Sequence, residues 1–211
     1  MSGVFSNEQI FALSKKVKER LSEYRFSHVE GVVEAAIQLG ELYMPEFIDE
    51  LRVAALLHDI TKEFSVEQHI ELLKKHSVPY TDSDVEAEPL LHSKTAEFLV
   101  RDEFFEFATE KICQSLRYHT TGSADMTLFD AIIYIADYIE SGRTVEFCVC
   151  LKNYFWAAEP IKMNTEERIE HLWKTVLLSL DMTVENIIAR GGVVDNATLA
   201  ARDAIRAKLK I

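Results

Sequence analysis

Val53-Ala54-Ala55-Leu56-Leu57-His58-Asp59 is an apolar helical run that ends on an imidazole and a carboxylate. A bare carboxylate in a protein interior either neutralises or finds a cation. The run therefore requires partners from elsewhere in the chain. His28 precedes it, and His92, His119 and Asp137 follow, each beside apolar residues at helical spacing. Facing helices can bring such groups inward onto one ion. The reading is an all-α protein whose inward histidines and carboxylates hold a metal for hydrolysis.

The 211 residues suffice for one large domain, taken as residues 1–211. Hydrophobic residues make up 48%, and glycine and proline number only 7 and 4, which favours a compact helical chain over a disordered one. The formal net charge of −12 argues against a nucleic-acid polymer as partner. It leaves room for a small phosphorylated substrate, because a metal and a few local cations can reverse the field in a cleft. Three cysteines without paired spacing, Cys113, Cys148 and Cys150, point to reduced thiols and a cytoplasmic setting. Residues 1–6 have neither a basic region nor an apolar core, so no secretion signal is expected. No long apolar stretch suggests a membrane span.

Periodicity is helical nearly throughout. Ser6 with Gln9 reads as a capping box for a helix with Ile10, Leu13, Val17 and Leu21 on one stripe. Further helices are predicted over residues 26–43, 46–62, 65–76 behind a Ser65–Gln68 cap, and 90–101. Residues 77–89, polar and holding two prolines, read as a loop. A helix over 104–118 leads into a turn at His119-Thr120-Thr121-Gly122. Asp125 is the expected cap of an apolar helix over 127–141 that stops at Gly142. Asn164 with Glu167 opens a helix ending near Leu180, and another follows over 184–190. Gly191-Gly192 reads as a hinge and residues 196–209 as an amphipathic tail helix, whose apolar face either caps the core or joins two copies as a homodimer. A β-hairpin within 145–149 stays open. Polar surroundings put His69, His76 and His171 at the solvent.

Two imidazoles and two carboxylates, His28, His58, Asp59 and Asp137, suit a first-row ion such as iron, manganese or cobalt. His92 and His119 either hold a second ion, with Asp59 as the bridge, or stay unligated and hold phosphate. Two ions can clamp the attacking and leaving oxygens of a phosphoryl transfer. Lys62, three residues after Asp59, would share its helical face and offer a fixed cation. Arg25 and Arg143 offer bidentate contacts to phosphate. Arg117 is a weaker candidate for such a contact, since its place also suits a cap of its own helix.

The ordered set of a histidine, a helix ending in Leu57-His58-Asp59 and a late aspartate resembles the signature of the HD superfamily of metal-dependent phosphohydrolases. Arg25-Phe26-Ser27-His28-Val29-Glu30-Gly31-Val32, Ala55-Leu56-Leu57-His58-Asp59-Ile60-Thr61-Lys62, Leu91-His92-Ser93, Arg117-Tyr118-His119-Thr120-Thr121-Gly122 and Ile135-Ala136-Asp137-Tyr138-Ile139-Glu140-Ser141-Gly142-Arg143 are similar to its YqeK-type branch. These are the symmetrical bis(5'-nucleosyl)-tetraphosphatases. The resemblance implies an HD-type helical bundle with its core over about residues 20–145 and the helices of 146–211 packed on it. It implies that His28, His58, Asp59 and Asp137 hold iron or a similar divalent ion, and that His92 and His119 line the phosphate site or hold a second ion. Asp59, Lys62, His92 and His119 take the catalytic roles. Arg25, Lys62, His92, His119, Thr120, Asp137 and Arg143 bind the substrate, a dinucleoside polyphosphate or ADP-like nucleotide. The chain departs from the family pattern at Ser123, where many relatives carry a basic residue, and over residues 145–156.

The implied reaction is cleavage of diadenosine tetraphosphate to two ADP. Metal-bound hydroxide attacks the phosphorus second from one adenosine, while Lys62 and Arg143 offset charge on the departing ADP. One rival is another nucleotide phosphohydrolase on the same scaffold, since fold does not fix substrate. A guanosine tetraphosphate hydrolase would carry Glu-Asp in place of Lys62-Glu63, and a cyclic-di-GMP phosphodiesterase would carry Gly-Tyr-Pro. A deoxynucleotide triphosphohydrolase stays open. The rival from another class is a nucleotide sensor that binds without turnover.

Overall fold

A computed structural model describes residues 4–81, 85 and 87–211. Among them the chain forms ten α-helices and no strand: α1 Asn7–Arg20, α2 Glu23–Tyr43, α3 Ile48–Leu57, α4 Val66–Lys75, α5 Glu88–Glu103, α6 Glu110–Tyr118, α7 Leu128–Ile139, α8 Glu146–Ala157, α9 Thr165–Ala189 and α10 Asn196–Leu209. The all-α expectation holds.

Helix α7 lies at the centre. Phe129 and every residue from Ala131 to Ala136 are buried, so over residues 131–136 it is apolar on all sides. It packs against α2, α3, α6, α8 and α9. One apolar cluster extends from Phe5 to Ile205. Ala201 and Ile205 are buried, and α10 packs on α9. The apolar face of the tail therefore caps the core.

Capping boxes at Ser6, Ser65 and Asn164 start their helices as expected. Several boundaries differ, each for a local reason. Thr127, not Asp125, caps α7, with Asp130 returning the bond. Thr109 accepts a bond from the Ile112 N–H and starts α6 afresh, so residues 104–118 are not one helix. Residues 180–184 contain neither glycine nor proline, and α9 runs through them unbroken. Gly191, at φ +72°, and Gly192 turn the chain at the end of α9, where the Gly192 N–H bonds to the Ile187 carbonyl. Residues 145–149 belong to the start of α8, so no hairpin forms there. In the expected 77–89 loop, residues 82–84 and 86 lie outside the described residues, as do 1–3 of the N-terminal stretch.

The expected helix over 46–62 stops at Leu57. His58 Nδ1 donates to the Ala55 carbonyl at 2.7 Å, and the chain continues in tight turns closed by Ile60 N–H to Leu57 and Lys62 N–H to Asp59. A short polar side chain that bonds backwards competes with the helical ladder in this way.

Candidate metal centre

Three helix ends meet at one point. His58 is the C-cap of α3, His119 is the C-cap of α6, and Asp137 lies in the last turn of α7. Helix C-termini carry partial negative charge and favour a cation. His28 enters from the first third of α2 and His92 from the first turns of α5.

The imidazoles are oriented from behind. His58 Nδ1–H donates to Ala55 and His119 Nδ1–H donates to Leu116, each at 2.7 Å. His28 Nδ1 lies 3.2 Å from Glu140 Oε1, and Glu140 is buried. With hydrogen on Nδ1, each ring presents its Nε2 lone pair to the centre, the arrangement that outer partners impose on metal-binding histidines. His28 Nε2 and His58 Nε2 then face each other at 3.4 Å, and His28 Nε2 faces Asp137 Oδ1 at 3.0 Å. Acceptors crowded onto acceptors in a buried place repel unless a cation stands among them. The donor set therefore fits a divalent ion, and mixed nitrogen and oxygen donors suit first-row metals.

The candidate ligand atoms fall into two sets, His28 with His58 and Asp137, and Asp59 with His92 and His119, each within 4.8 Å of one another. Asp59 joins them. Its Oδ2 lies 3.7 Å from His28 Nε2 and 3.6 Å from His58 Nε2, while its Oδ1 lies 3.3 Å from His92 Nε2 and 3.7 Å from His119 Nε2. All the residues expected to be ligands are thus brought together.

Charge and burial set their protonation. Burial drives His58 down to about 4, against the pull of Asp59 and Asp137, and burial also holds His92 well below the usual range. Both rings stay neutral, as a ligand must. Burial alone would raise Asp59, but His58, His119, His92 and Lys62 together hold it well below the carboxylate range. Burial likewise opposes ionisation of Asp137, and His28, Arg143 and His58 overcome it.

Cations rim the cluster. Arg25 Nη1 donates to Asp59 Oδ2 at 2.8 Å, and its Nε is buried without a hydrogen-bond partner among the described residues. Lys62 Nζ sits 3.2 Å from both nitrogens of His92, and burial lowers its pKa. Arg143 binds Asp137 through both Oδ1 and the backbone carbonyl, the latter at 2.9 Å. The Thr120 hydroxyl donates to Ser93 Oγ at 2.8 Å, beside His92. A cavity of about 420 Å³ opens next to this rim, lined by Arg25, His28, Glu140 and Arg143 among others.

Other expectations need correction. Arg117 is no helix cap: it grips buried Glu97 with two bonds of 2.5 Å. His69 is buried and its Nδ1 lies 2.8 Å from Thr95 Oγ1; His171 is buried and donates from Nε2 to the Phe155 carbonyl. Both lie on the inner faces of helices whose outer residues are polar. His76 is half-buried and lies 3.0 Å from Asp102. Glu140 was not singled out from the sequence. Its signals were its place one turn after Asp137 and the glycine at 31, where a Cβ would come within 2.5 Å of Glu140 Oε2.

A family model described as HD domain matches residues 25–142. The protein named bis(5'-nucleosyl)-tetraphosphatase, symmetrical, from Halalkalibacterium halodurans is 35% identical over 127 residues, 60% of this chain and 66% of that protein. The protein of the same name from Bacillus subtilis is 35% identical over 127 residues, covering 60% of this chain and 67% of that protein, and the one from Staphylococcus aureus is 31% identical over 128 residues, covering 61% and 64%. The match therefore spans about two thirds of the length of these relatives. A solved HD superfamily hydrolase from Clostridium acetobutylicum, described as involved in NAD metabolism, is 28% identical with a TM-score of 0.81, over 98% of this chain and all of that one.

Proposed function

The chain belongs to the HD domain family, and from that premise we propose that it is a metal-dependent hydrolase that cleaves diadenosine tetraphosphate symmetrically into two ADP. The observation that carries this reading is Asp59, whose two oxygens face two separate sets of imidazoles while Arg25 holds it from outside. The relatives named for that activity support the choice of substrate.

His28, His58 and Asp137 would hold one divalent ion and His92 and His119 a second, with Asp59 between them. Iron is the favoured ion, with manganese and cobalt as alternatives, because the set mixes imidazole and carboxylate and holds no thiolate. Such an ion, when bound, supplies Lewis acidity and activates water near neutral pH. Arg25, with its spare Nε–H, and Arg143 orient the phosphates. Lys62 offsets charge on the departing ADP. Thr120 holds the His92 side of the site through Ser93 and turns its hydroxyl to phosphate when substrate binds.

We take residues 1–211 as one domain, which the continuous apolar cluster supports. Among the described residues no helix is long and apolar enough to cross a membrane. The free thiols Cys113, Cys148 and Cys150 fit a cytoplasmic enzyme. The test is chromatography of products after incubation with diadenosine tetraphosphate and iron, manganese or cobalt in turn. ADP alone is expected. ATP with AMP would move the attack to a different phosphorus, and tight ADP binding without turnover would make the protein a sensor.

A further inference from the structure

The 420 Å³ cavity beside the metal centre continues into a second one of about 240 Å³. Gly31, Glu34, Glu140 and Ser141 line both, so the two form one groove along the outer face of α2. Its far end is chemically unlike its near end. The near end gathers Arg25 and Arg143, with Glu30 on the same wall. The far end presents Trp156 and Lys152, one turn apart on α8, opposite Glu34 and Gln38 on α2. Lys152 Nζ donates to the Ser141 carbonyl at 3.4 Å, which ties α8 to the shared wall.

Trp156 is 36% exposed, whereas the other tryptophan, Trp173, is 5% exposed. A large aromatic surface left open in a cleft is a place for a flat ligand to stack. Along α2, Glu34 lies about 9 Å beyond His28 and Gln38 about 15 Å beyond it, at 1.5 Å per residue. That span brackets the reach of a nucleoside diphosphate arm. Carboxylates suit ribose hydroxyls, and Glu34 stands on the wall shared by the two cavities, between the arginine pair and Trp156, so the groups follow the order phosphate, ribose, base.

We propose that the far end of this groove is a nucleoside subsite, with Trp156 stacking on the base and Glu34 accepting the ribose hydroxyls while the diphosphate runs back to Arg143 and Arg25. The assignment deepens the hydrolase reading and rests on it for the identity of the ligand. It also gives residues 145–156 a role in substrate selection.

The test is a titration of the metal-loaded, full-length protein with ADP and, separately, with inorganic pyrophosphate, following tryptophan fluorescence and affinity by calorimetry. ADP should quench the fluorescence and pyrophosphate should not. Trp156→Ala should weaken ADP by about tenfold, the scale of one base on one aromatic ring, and leave pyrophosphate affinity unchanged. Trp156→Phe should recover most of the ADP affinity while losing the quench. Glu34→Gln should weaken ADP and not pyrophosphate. Equal ADP affinity in the wild type and Trp156→Ala would overturn the subsite while the phosphate end stands. Failure of both ADP and pyrophosphate to bind would overturn the subsite and the hydrolase reading together.

Discussion

His92 and Glu97 lie on the same helix, α5, yet the buried charges around them end differently. Glu97 meets Arg117 bidentately at 2.5 Å, so its carboxylate is answered by the protein itself. His92 faces Asp59 and His119, and the wider cluster turns unprotonated nitrogens and carboxylate oxygens toward one another. The first arrangement is complete as folded. In the second, Arg25, Lys62 and Arg143 stand at the rim while imidazole nitrogens and carboxylate oxygens from separate helices converge on the middle. Burial of polar groups is therefore no guide to function until their partners are counted: an acid matched to one arginine belongs to the scaffold, and a convergent set of imidazoles and carboxylates offers a place for a ligand.

Substitution at the two places should separate them, and the largest effect belongs to the metal cluster. Asp59→Ala or His58→Ala should reduce turnover at least about a thousandfold, since Lewis-acid stabilisation is worth several kcal/mol. Steady-state rates at saturating metal check this, and near-normal turnover in either variant would remove that residue from the mechanism. Arg117→Ala should instead destabilise the fold by about 3 kcal/mol, because it leaves buried Glu97 with only Arg101, 3.8 Å away, as a cationic partner, with metal uptake by the remaining folded protein unchanged. Chemical denaturation measures the first quantity and metal titration the second. A loss of metal affinity without loss of stability would break the comparison.

Glu140→Ala should have a smaller effect than either. Removing the partner of His28 Nδ1 should weaken metal binding by about tenfold to a hundredfold, and Glu140→Gln, which keeps an acceptor, should recover part of it. Competition titration with a chelator provides the number. The smallest effect is a pH dependence of the metal-free fold. Burial lowers His69 to about 4 from the ordinary value of 6.5. The unfolded chain therefore binds more protons than the folded one between those values, and stability must fall as pH drops through that window. His69 contributes up to about 1.4 kcal/mol per pH unit there. His69→Gln should flatten the acid limb of a plot of melting temperature against pH; an unchanged slope would assign the limb to other groups.

Most of the centre was legible in the sequence because its chemistry is costly and local. His58-Asp59 after five apolar residues, and Asp137 directly after the buried run of residues 131–136, cannot sit where they sit without partners. Their helical setting was legible from periodicity. What stayed hidden depends on contacts between distant residues. Glu97 and Arg117 look like ordinary helix-surface charges until α5 and α6 are packed together. Glu140 looks like a helix-end acid until α2 brings His28 and Gly31 against it. The end of α3 at Leu57 was hidden for a smaller reason: a side chain took the carbonyl that the next helical turn would have used.

The most direct test is metal uptake by anaerobically purified protein reconstituted with iron(II) or manganese, read as ions per chain and as the shift in melting temperature. The wild type should bind the ion stoichiometrically and melt at higher temperature, while Asp59→Asn, with unchanged helical circular dichroism, should lose most of both responses. A wild type that takes up no divalent ion, or an Asp59→Asn protein that loads and melts like it, would contradict the assignment of this cluster as a cation site.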